Sequence, residues 1–173
     1  MKGTKTEQNL RAAVNGEASA ALLYEFFAER ARKEELSVLS DIFLETAKNE
    51  KAHAKIYLDL LECIQTTSQN LLHAAEAEFH ENRIMYPDFA AEAEREGLKE
   101  IAATFEMVGK IEAEHEKRFR SLLLQLENNS LFSGGTEKIW ICQNCGHHYT
   151  GDSAPQICPV CKHPMGYFSK TEK

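Results

Sequence analysis

Two Glu-x-x-His elements, Glu50–His53 and Glu112–His115, stand out for the chemistry they could do in this 173-residue chain. Each follows a solitary glutamate: Glu17 lies 33 positions before Glu50, and Glu78 lies 34 before Glu112. Residues three apart on a helix share a face, so each Glu-x-x-His can direct one oxygen and one nitrogen to the same side. All six side chains fall on apolar helical seams, where an uncompensated carboxylate costs several kcal/mol or simply protonates. Cations among them remove that cost. The four carboxylates Glu17, Glu50, Glu78 and Glu112 balance two ferrous ions, and the oxygen–nitrogen shell suits iron or manganese. Glu50 and Glu112 are natural bridges between the metals, and Glu17 and Glu78 are natural terminal ligands. Glu81, on the face of Glu78, is available as a further ligand. His80 lies off the seam, and His73 reads as solvated.

The cysteines form a second constellation. Cys142-x2-Cys145 and Cys158-x2-Cys161, separated by twelve residues, place four thiolates on two tight knuckles. Gly146 and Pro159 suit turns in which backbone N–H groups face sulfur. Tetrahedral tetrathiolate geometry accepts zinc or a single iron. Beside a dimetal bundle iron is favoured, because zinc has no redox chemistry and iron relays single electrons. His147, His148 and His163 are not needed once four cysteines close the shell. Cys63 reads as a small buried hydrophobe, with a peroxidatic thiol as the lesser alternative, since neither a flanking cation nor a resolving cysteine is evident.

Helices must position the carboxylates. Leu10, Val14, Ala21, Tyr24 and Ala28 follow a 4-3-4-3 rhythm into which Glu17 fits. Leu36, Leu39, Phe43, Thr46, Tyr57, Leu60 and Ile64 do the same around Glu50 and His53. Ile101, Phe105, Val108, Phe119, Leu122 and Leu126 flank Glu112 and His115. The first helix should run to about Arg32 and the second from about Leu36 to Ile64. The third should have Ser68 as N-cap, a kink or bulge at Pro87 and its end near Gly97, and the fourth should start near Leu98. The fold class is thus an all-α four-helix bundle, 1–127, whose hairpins repeat one another. A Ser/Gly/Asn-rich linker, 128–137, leads to a small metal-stapled module, 138–173, with Trp140, Tyr149 and Phe168 as its packing. The net charge of −7, with no basic stripe, excludes nucleic acid as a main partner. No run of 18 apolar residues marks a membrane span, no apolar leader follows Met1, and paired cysteines fit a reducing, cytoplasmic setting.

The sequence resembles the rubrerythrin family over nearly its whole length. The marks are Gly16-Glu17, Glu50-Lys51-Ala52-His53-Ala54, Glu78-Phe79-His80-Glu81 with Met85-Tyr86-Pro87, and Glu112-Ala113-Glu114-His115-Glu116-Lys117-Arg118-Phe119. The resemblance implies a ferritin-like diiron bundle with a C-terminal rubredoxin-like domain, acting as a peroxidase in oxidative-stress defence. It implies Glu17, Glu50, His53, Glu78, Glu81, Glu112 and His115 as diiron ligands, and Cys142, Cys145, Cys158 and Cys161 as ligands of one further iron. By the same resemblance His53 and Glu81 exchange on one iron with redox state, and Tyr24 and Tyr86 hydrogen-bond ligand carboxylates. Two departures stand beside the site: Ala77 replaces the usual glycine, and Ile84 an often acidic residue.

Hydrogen peroxide is then the expected oxidant. A reductase or rubredoxin, drawing ultimately on NAD(P)H, is the expected donor, and no glycine-rich fingerprint in this chain binds a nicotinamide. A ferroxidase or iron-storage role, or a non-enzymatic zinc-ribbon interaction protein, are the rival readings. Assembly follows from the family's parallel second and third helices. Reaching one site from both requires the connection to climb about 28 Å at 1.5 Å per residue, whereas residues 65–69 span at most about 20 Å. A homodimer with swapped helix pairs, or a plain up-down-up-down bundle, resolves the shortfall.

Overall fold

The computed structural model describes residues 2–170, which form two compact units, one ending at Gln65 and the other beginning at Thr66. Unit one is a helical hairpin of α1 (Lys5–Lys33) and α2 (Ser37–Leu60). Thr4 caps α1, its hydroxyl accepting from the Glu7 N–H. The turn closes on left-handed Glu35 (φ 61°), with the Leu36 N–H donating to Ala31 O at 2.9 Å. The second helix stops at Leu60, one turn short of the expected Ile64. Glu62 is left-handed (φ 54°) and the Cys63 N–H donates back to Leu58 O at 3.0 Å, which ends the helix before Ile64 can extend it.

Unit two holds the second hairpin. Its first arm is α3 (Thr67–His80), a π-helical turn (Glu81–Met85) and α4 (Tyr86–Arg95), and its second arm is α5 (Lys99–Glu127). Thr66, not Ser68, is the N-cap, because Gln69 lies where its side chain can answer the Thr66 N–H and complete a capping box. The bulge expected at Pro87 is the π turn: the Tyr86 N–H reaches back five residues to Glu81 O, and Pro87 enters α4 in its first turn, where no N–H is needed. Gly97 (φ 78°) ends the arm, with the Leu98 N–H on Ala93 O at 2.8 Å.

The two hairpins are one design used twice. Tyr24, Phe27 and Phe43 form an aromatic cluster with ring centroids 5.7–6.2 Å apart, and Tyr86, Phe89 and Phe105, each 62 positions later, form another at 5.6–6.3 Å. Buried Ala28, Ala31 and Ser40 have mates in Ala90, Ala93 and Ala102, and Ala47 in Gly109. Glu17 and Glu78, however, are 61 apart. The odd residue therefore enters between Glu78 and Tyr86, at the π turn, and explains why one glutamate interval is 33 and the other 34.

Packing within each hairpin departs from the expected seams. What is buried is small: Ala28, Ala31, Ser40, Ala47 and Ala54 in the first, Ala75, Ala90, Ala93, Ala102 and Gly109 in the second. The large apolar residues Leu36, Leu39, Leu60, Ile64 and Ile101 are exposed. Two helices alone can bury only the narrow strip between them, so small residues set their close approach and bulky ones await a further layer.

The C-terminal module is an antiparallel sheet of order β2-β1-β3, with β1 (Ser133–Cys142), β2 (His148–Ser153) and β3 (Phe168–Lys170). β1 already pairs Ser133 with Ser153 inside the segment read as linker, before a register shift. The core is Trp140, Cys142, Ala154, Cys158 and Phe168, joined by Phe132 and Met165. Tyr149 does not share it. Its ring lies over Gly151, where an added Cβ would meet Cε1 at 2.8 Å, while the Trp140 indole N–H donates to Gly151 O.

Candidate metal centres

Each hairpin gathers its own carboxylates and imidazole. In the first, α1 supplies Glu17 and α2 supplies Glu50 and His53, with ligand atoms all within 4.8 Å of one another. His53 Nδ1 lies 2.9 Å from Glu50 Oε2 and 3.7 Å from Glu17 Oε2. In the second, α3 supplies Glu78 and α5 supplies Glu112 and His115, within the same 4.8 Å. There His115 Nδ1 is 2.6 Å from Glu112 Oε2 and 3.5 Å from Glu78 Oε2. Nδ1 is thus the imidazole atom facing the carboxylates in both.

The acids resist holding full charge together. The hydrogen bond with Glu50, helped by burial and by the Glu50 charge, holds Glu17 above the usual carboxylate range, while Glu50 is drawn below it by Glu17 and then His53. Burial, then the hydrogen bond and charge of Glu112, raises Glu78. Two carboxylates that converge in this way disfavour full charge on both, a cost that a divalent cation would remove. Two carboxylates and an imidazole fit iron or manganese better than a thiophilic ion.

Glu81 opens the π turn and adds to the negative charge felt by Glu78, but it stands outside the group of three donors. Tyr86 is held above the ordinary tyrosine range by burial and then by Glu81, Glu112 and Glu78, so its hydroxyl keeps its proton beside the second cluster. Tyr24 packs on Phe27 and Phe43. No residue pattern marked Gly109 in advance, yet a Cβ there would lie 3.2 Å from Tyr86 Cβ, so its lack of a side chain lets the tyrosine approach. The available signal was a glycine inside an otherwise helical run.

In the module the four cysteine sulfurs also lie within 4.8 Å of one another. The pairs Cys142–Cys161 and Cys145–Cys158 have Sγ···Sγ distances of 3.6 and 3.7 Å. A tetrahedral ion with bonds of about 2.3 Å requires edges of about 3.8 Å. The knuckles are matched: Gly146 N–H donates to Cys142 O and Lys162 N–H to Cys158 O, with both Gly146 (φ 72°) and Lys162 (φ 64°) left-handed. The His147 N–H favours a Cys145 thiolate, yet burial and the other sulfurs outweigh it and push Cys145 up to about 12. Cys161, favoured by the His163 N–H, is pulled down to about 5. Four thiolates need a cation. His163 bonds Cys161 O through Nδ1 and packs on Tyr167 rather than serving as a fifth donor. Cys63 is half-buried, and its neighbour Arg11 is a cation that the sequence did not disclose; Glu7 is that guanidinium's main partner.

Among the described residues no helix is long and apolar enough to cross a membrane. The rubrerythrin family profile matches residues 8–123, and the profile for the rubrerythrin rubredoxin-like domain matches residues 140–169. Rubrerythrin of Porphyromonas gingivalis is 43% identical, with 97% of this chain and 90% of that protein covered. Rubrerythrin-1 of Clostridium acetobutylicum is 40% identical (97% and 95% covered), and rubrerythrin of Nitratidesulfovibrio vulgaris 37% (97% and 95%).

Proposed function

The chain belongs to the rubrerythrin family, and from that premise we propose that it is a non-haem diiron peroxidase converting hydrogen peroxide to water. Its fold class is ferritin-like helices with a rubredoxin-like domain, and its cofactors are two irons in the carboxylate–histidine centre and one in the four-cysteine site. The observation that carries the proposal is the pairing of two matched Glu/Glu/His clusters with a thiolate tetrahedron in one chain. Iron storage has no use for such a relay, and a zinc ribbon has none for the carboxylates.

The balance is one peroxide, two electrons and two protons to two waters. The iron pair, when bound, supplies both electrons to the O–O bond in one event, which avoids release of a hydroxyl radical. Glu17 and His53 would hold one ion and Glu78 and His115 the other, Glu50 and Glu112 would span both, and Glu81 would be the carboxylate that alternates with His53. Tyr86 Oη, protonated beside the second cluster, would orient a carboxylate, and Tyr24 would do so at the first. Cys142, Cys145, Cys158 and Cys161 would hold the relay iron, refilled singly by a reductase or rubredoxin drawing on NAD(P)H. The units of function would be 1–127, the linker 128–137 and the relay 138–173, whose last three residues lie outside those described. A cytoplasmic setting agrees with the free thiols.

We also infer a homodimer with swapped helix pairs, the first hairpin of one chain joining the second of another. With the observed helix ends, parallel helices would need the connection to climb about 27 Å from Leu60 to Thr67 at 1.5 Å per residue. Residues 61–63 are curled into the helix cap, and the rest reaches only about 14 Å. Exposed Leu22, Phe26, Leu39, Ile42 and Ile56 give the first hairpin a face that such a partner would cover, as Ile84, Ile101 and Ile111 do for the second. Two tests apply. Glu50→Ala or Glu112→Ala should abolish the iron pair, and retention of two irons would contradict the bridging roles. Co-refolding a Glu50→Ala chain with a Glu112→Ala chain should restore one intact site per heterodimer, whereas sites built within single chains would restore none.

A further inference from the structure

We infer that each hairpin is a complete single-ion site that loads independently, so that the dinuclear centre is assembled from two preloaded halves. This rests on the diiron reading of the donors, not on peroxide as the oxidant. Three features carry it. All three donors of a half-site come from one compact unit: Glu17, Glu50 and His53 lie before Gln65, and Glu78, Glu112 and His115 after Thr66. Each set is already gathered within 4.8 Å, with Nδ1 facing both carboxylates, so binding one ion requires no donor from elsewhere. The two sets also correspond along the chain, since Glu50 and His53 recur 62 positions later as Glu112 and His115, and Glu17 recurs as Glu78 with only the π-turn residue out of step.

Charge supplies the coupling to assembly. One divalent ion neutralises the two carboxylates of its half-site, leaving the neutral imidazole as third donor. Joining two empty halves would press Glu17, Glu50, Glu78 and Glu112 together as like charges, whereas joining loaded halves would bring together neutral sites whose ions accept Glu50 and Glu112 as bridges. Ion binding should therefore precede and tighten the pairing of hairpins, and the Glu/Glu/His set, not the finished pair, sets the first affinity.

Manganese tests this on the full chain without disturbing the thiolate site, because Mn2+ prefers oxygen and nitrogen donors. Titration of the metal-free protein, followed by electron paramagnetic resonance, should show mostly isolated Mn2+ at low loading, with coupled pairs growing as the square of occupancy and prevailing only toward saturation. Coupled pairs prevailing from the first addition would overturn the inference. Two variants give the second arm. Glu78→Ala/His115→Ala should keep one Mn2+ per chain at the first half-site, with affinity within tenfold of wild type, and Glu17→Ala/His53→Ala should keep one at the second. Loss of both ions from either variant, with helical circular dichroism unchanged, would also overturn it. Wild-type chain that loads only in pairs yet consumes peroxide would sink independent loading and leave the peroxidase standing; single loading without peroxide consumption would do the reverse.

Discussion

Deleting Arg83 from the π turn should reveal what that turn is for. The residue is exposed, and its removal would bring the Glu78–Tyr86 spacing to seven, the spacing of Glu17 and Tyr24. The arm could then wind as a continuous α-helix and recover a backbone hydrogen bond, a gain of about 1 kcal/mol. It would also leave Pro87 inside an α-helix, where the ring meets the carbonyl four residues back at a cost of about 3 kcal/mol. The deletion alone should thus destabilise the metal-free protein by about 2 kcal/mol, the difference of those two effects. Adding Pro87→Glu, the residue found at the matching position Glu25, should return stability to within about 1 kcal/mol of wild type. Urea unfolding monitored by helical circular dichroism reads both values, and Mn2+ stoichiometry should stay at the wild-type level in the double variant, because the glutamate interval becomes 33 as in the first hairpin. A deletion that leaves stability unchanged would refute the role given to Pro87. A double variant as damaged as the single one would refute the equivalence of the hairpins.

Ser40 is 1% exposed with its hydroxyl unpartnered, while its repeat mate is Ala102; Ser40→Ala should stabilise the first hairpin by about 1 kcal/mol in urea unfolding, and a loss of that size would mean an unrecognised partner. Glu78 has a raised folded pKa, so its contribution to metal-free stability is full below the unfolded value of 4.5 and lost as pH rises through the folded one. Glu78→Gln should therefore make the metal-free protein more stable at neutral pH, with the difference shrinking toward pH 4, while weakening Mn2+ binding; equal thermal midpoints at both pH values would contradict this. Cys142→Ser with Cys158→Ser should abolish the iron–thiolate visible absorption and sharply lower turnover from a protein donor, yet leave a chemically reduced bundle able to consume one equivalent of peroxide per iron pair. Undiminished donor-driven turnover would show that electrons bypass the module.

Much of this was legible because ligand chemistry is local. Glu-x-x-His and Cys-x2-Cys place their donors through the geometry of one helix turn or one knuckle, so spacing alone brought Glu50 to His53 and Cys142 to Cys145. Gly97 ended its helix as read, since glycine takes a left-handed cap without strain. Glu35, Glu62 and Asn129 take the same conformation without being glycine, and at Glu62 that concealed the true end of α2. The seams misled for a different reason. Periodicity reports which residues must be covered eventually, not which neighbour covers them, so Leu39 and Leu60 were read as core when the hairpin buries Ser40, Ala47 and Ala54. The one-residue difference between the glutamate intervals was visible in the numbers, but only the π turn gave it a physical cause.

The central claim is that two irons held by Glu17, Glu50, His53, Glu78, Glu112 and His115 deliver a pair of electrons to one peroxide. The most direct test is an anaerobic titration of the fully reduced, iron-loaded protein with hydrogen peroxide, with the bundle and four-cysteine irons followed separately by Mössbauer and visible absorption. One peroxide should oxidise one iron pair, with a radical trap remaining unmodified and oxygen reacting more slowly than peroxide. Oxidation of the pair by oxygen in preference to peroxide, or trap modification in step with each addition, would contradict it.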